Sequence, residues 1–109
     1  MQDALAQLET TYLTMQQNIG MVLAGCQNQS DRDTVTSKFV AARQNYWSCV
    51  NKAFHDDDPD VISLTTQLTT ANNDLKAAVT QLSDIKKTID AITQAVTVGA
   101  SLAAKVITA

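Results

Sequence analysis

The chain has 109 residues, 45% of them hydrophobic and 5% aromatic, with one proline and three glycines. That length supports one domain with a modest core, and the scarcity of turn formers excludes the many tight turns of an all-β fold. The net charge is −3, and the eight Lys and Arg are scattered, which excludes the clustered cationic surface that nucleic acid requires.

In chain order, Leu5, Leu8, Tyr12, Met15, Ile19, Val22 and Cys26 alternate steps of three and four, the spacing of a helix packed along a seam. It predicts a helix over about 4–26, capped by Asp3 and closed by Gly25 with Gln27-Asn28-Gln29 behind it. Ser30 then reads as an N-cap, with Asp33 three residues on and Asp31 in the positive first turn. It opens a second helix over about 31–54. One stripe of this helix runs Val35, Phe39, Ala42, Tyr46, Cys49 and Ala53, and a second runs Val40, Trp47, Val50 and Phe54. Two adjacent stripes suit a helix that touches two neighbours.

The run from His55 to Asp60 ends that helix and starts the next. Asp58 serves as N-cap, Pro59 as first helical residue and Asp60 as first-turn acid. A seam then continues through Val61, Leu64, Leu68, Ala71, Leu75, Ala78 and Leu82, and on through Ile85, Ile89, Ile92, Val96, Gly99, Ala103 and Val106. This predicts a third helix over about 59–108, roughly 70 Å long if unbroken, beside two of about 33–36 Å. Bare, its distal seam would be unfavourable by about 1.5–3 kcal/mol per large side chain. A second copy, another helical protein, a membrane surface or a bend near Ser83-Asp84 would cover it. The expected fold is therefore an all-α up-down bundle with coiled-coil character, with three helices and a long third, or four if the third bends.

The stretch 91–109 has Lys105 as its one charge, and Gly99 with Ala103 and Ala100 with Ala104 are small pairs four apart that let helices approach closely. Its Gln, Ser and Thr make it too polar for a clear membrane span, and a buried or oligomerising helix is the expectation. His55, Asp56, Asp58 and Asp60 are the weak candidates for metal ligands. Asp56, Asp58 and Asp60 have the opening spacing of an EF-hand loop, but Pro59, Val61 and Gln67 occupy places where that loop needs other residues. Capping and helix-dipole roles account for all four without an ion. No base stands beside a Ser or Cys nucleophile and no glycine-rich phosphate loop is present, so neither catalysis nor a cofactor is expected.

Cys26 and Cys49 leave two arrangements open. Helical rise puts them about 28 Å apart in a simple hairpin, beyond the roughly 7 Å limit for a disulfide. They are then separate thiols, or the first helix breaks near Gly20 and folds back to allow a bridge. Val22-Leu23-Ala24-Gly25-Cys26 resembles the lipobox of bacterial lipoproteins, yet no Lys or Arg precedes Arg32 to form a signal n-region. Trp47-Ser48-Cys49 resembles the Trp-X-Gly motif of small secreted helical-hairpin proteins, with the glycine absent and the tryptophan inside a helix. The Thr-, Gln- and Asn-rich surface leans toward a bacterial exported or periplasmic protein.

The expected function is a non-enzymatic structural or protein-interaction module that self-associates, or binds a helical partner, through Ile85, Ile89, Ile92, Val96, Gly99, Ala103 and Val106. The rival readings are a membrane-active protein that inserts its C-terminal segment and a metal-regulated module that uses the acidic junction.

Overall fold

A computed structural model describes residues 3–55, 57–81 and 84–105, of which 83% are helical. Four helices, α1 (Asp3–Gly25), α2 (Gln29–Trp47), α3 (Pro59–Thr80) and α4 (Ile85–Ala103), pack into one bundle. The bent alternative for the long third helix is the arrangement observed. The chain leaves helical geometry at Gln81 (φ −131°, ψ 75°), and Asp84 recaps it by accepting from the Lys86 and Lys87 amides at 3.1 and 3.4 Å. Those bonds satisfy amides that otherwise lack partners at a helix start, which is why the chain can turn there.

Two other boundaries differ from expectation. The second helix starts two residues before Ser30's first turn, because Asn28, in extended geometry, accepts from the Asp31 amide at 2.8 Å. It ends at Trp47 and not near residue 54, because the chain turns inward to bury Cys49 and Phe54. A longer straight helix would have carried both away from the core. Asp58 caps α3 as expected, accepting from the Asp60 amide at 2.8 Å, with Pro59 at the first helical position.

The helices form two antiparallel hairpins, α1/α2 and α3/α4, lying one on the other. Leu8 meets Gly99 and Gly25 meets Ile85, so α1 and α4 run antiparallel. Asn45 bonds to Val96 O and Cys49 lies against Ala103 O, so α2 and α4 run parallel. α1 packs on α2, α3 and α4, whereas α2 packs on α1 and α4. Both tight turns therefore sit at one end of a rod 42 Å long and about 20 Å across. The end of α2 and the start of α3 lie at the other end, where Lys105 pairs with Asp60 at 3.2 Å.

Between the hairpins lies one core, which includes Leu8, Met15, Val35, Leu68, Leu75, Ile92 and Leu102. Thr11 and Asn72 are buried in it and bonded. Thr11 Oγ1 donates to Asn72 Oδ1 at 2.6 Å, and Asn72 Nδ2 donates to both Gln7 oxygens, backbone and side chain, at 3.0 Å. No buried side-chain polar atom lacks a partner among the described residues, as the cost of such atoms demands.

Candidate interaction surface

Closing the bundle settles where the distal seam lies. Ile92, Val96 and Gly99 are buried in the chain's own core, and Ile85, Ile89 and Ala103 are half-buried against it. Val106 lies outside the described residues. Intramolecular packing thus supplies the cover that the seam required. The seam was also too narrow a reading, because α4 touches all three other helices and buries Thr88, Ala95, Val98 and Leu102 besides. No helix among the described residues is long and apolar enough to cross a membrane.

No group of three or more potential metal-binding side chains occurs among the described residues. Asp58 is the α3 cap, Asp60 pairs with Lys105, His55 is exposed, and Asp56 lies outside the described residues. Cys26 and Cys49 are free and buried. α1 runs unbroken through Gly20, so the break that a bridge would need is absent and the thiols sit at opposite ends of the rod. Burial raises the Cys26 thiol above its ordinary pKa, Asp31 adds to this and Arg32 opposes it; such a thiol is a poor nucleophile.

The hollows are equally plain. The one between Met15, Ile19, Val22, Val35 and Ile92 holds about 10 Å³, which leaves no room for a ligand. A groove of about 270 Å³ between α3 and α4 opens widely to solvent and is lined by Thr66, Gln67, Thr70, Asp74 and Gln94.

A distinctive cluster lies on the first hairpin, where Phe39 and Tyr46 are half-buried against the core and Trp47 is exposed. The chain has five aromatic residues, and four of them form one ladder of rings along the α1/α2 groove. Tyr12 stacks on Phe39 and on Tyr46 with centroids 6.0 and 5.9 Å apart, and Tyr46 meets Trp47 edge-on at 5.5 Å. Helical spacing brings these rings together: Phe39 and Tyr46 are seven apart on α2, and Tyr12 enters between them from α1. Tyr46 OH donates to Glu9 Oε2 at 2.8 Å, and Gln16 Nε2 donates to Tyr12 OH at 3.4 Å. The bond to Glu9 is the main reason the Tyr46 phenol holds its proton above its ordinary range.

The ladder is wet along its outer edge. Trp47 is 56% exposed, Val40 40% and Leu13 37%. Arg43 lies on the same stripe as Val40 and Trp47, exposed and without a hydrogen-bond or ion-pair partner among the described residues. The sequence shows Val40 and Trp47 on a second stripe suited to a second neighbouring helix, whereas in the structure both are exposed. The signal that marks the stripe as surface is Arg43 between them, since a guanidinium is rarely buried unpaired. Family models, curated proteins and solved structures yield no match to this chain.

Proposed function

We propose that the chain is a non-enzymatic protein-interaction module that docks its partner on the outer face of the α1/α2 hairpin. The observation that carries this reading is the aromatic ladder ending in half-exposed Trp47, with Arg43, unpaired among the described residues, one turn away. Trp, Tyr and Arg are the side chains that dominate protein–protein binding energy, and a tryptophan left in water is stabilised when a partner covers it. The face is preorganised, because the rings are held by one another and by Glu9 and Gln16, so little side-chain freedom is lost on docking. In this reading the contact is on α1/α2, while the seam from Ile85 to Ala103, packed on the core, serves to hold the bundle closed.

A photo-crosslinking residue at Val40, compared with one at exposed Gln94 on α3/α4's outer side, tests the reading in the protein's native setting. Adducts should form from position 40 and not from position 94. Equal adducts from both, or none from position 40, would remove the proposal.

A further inference from the structure

We draw no further inference here: the strongest candidate, the exposed patch of Val40 and Trp47 beside the α1/α2 aromatic ladder, belongs to the surface already described, and nothing in the structure shows what covers it.

Discussion

Asn72 is the residue on which the two hairpins are registered. It is 2% exposed, and its amide joins Thr11 on one side and both Gln7 oxygens on the other. An unpaired polar group in that position costs about 1–3 kcal/mol, whereas removing both partners together is close to neutral. Asn72→Ala should therefore lose about 1–3 kcal/mol in urea unfolding, and Asn72→Leu with Thr11→Val should recover most of it. Equal losses in the two variants would show that the network does not act as a unit. The glycines make a paired comparison at the same scale. Nothing lies within 4 Å of a methyl built on Gly20, whereas one on Gly99 would touch Asn45 Nδ2 and Leu8 Cδ2, both at 3.4 Å. Gly20→Ala should stabilise by about 0.5–1 kcal/mol through helix propensity. Gly99→Val should destabilise by about 1–3 kcal/mol through overpacking. Melting temperatures of the two variants, moving in opposite directions, check both.

Among the elements, the helix starts depend on three caps, Asn28, Asp58 and Asp84. Asp58→Ala should cost about 0.5–2 kcal/mol, with a melting temperature indifferent to calcium before and after substitution. A calcium-dependent rise in wild type that vanishes in the variant would reinstate the acidic junction as a metal site. The caps also show how far local sequence reaches. Asp58-Pro59 was legible because proline restricts the residue before it. Asn28, and not the expected Ser30, caps α2, because both are good caps in a polar run and only the geometry of the turn chooses between them. The α3–α4 break was visible as one alternative among several. Thr65-Thr66 and Asn72-Asn73 are equally poor helix formers yet stay helical. What selects the end of α3 at Thr80 is that α4, starting at Ile85, then packs back over α1 and α2, a tertiary preference that no local window contains. The exposure of Val40 and Trp47 was not legible for a related reason: a stripe of apolar residues has the same spacing whether a helix of its own chain covers it or none does.

At the scale of the molecule, the core is shared by all four helices, so it should melt as one unit. Ile92, 2% exposed, lies at its middle. Ile92→Asp puts a carboxylate where no cation waits, and loss of helical circular dichroism across the whole chain is expected. Partial loss confined to one helix would mean that the hairpins are separable. Alkaline pH acts on the same unit. The Cys26 thiol is raised above its ordinary value of 9.0 by burial first, and the Tyr46 phenol by its bond to Glu9 first. A group whose folded pKa is raised stabilises the fold below its unfolded pKa and loses that contribution as pH climbs through the folded one. The fold should therefore be steady through neutral pH and weaken above about pH 9, and melting temperature against pH gives the profile.

The layout of the rod has a mechanical consequence. The start of α1 and the end of α4 lie at the end where α2 stops and α3 starts, with Lys105 beside Asp60. A load that pulls these two points apart does not draw on the helices along their length. It pries α4 from α1 at one end, so that contacts such as Leu8 against Gly99 part well before Gly25 against Ile85. Contacts that break in sequence resist with the strength of one turn at a time, whereas contacts sheared together resist as a sum. Pulled this way the rod is soft, and it peels open from that end toward its two tight turns.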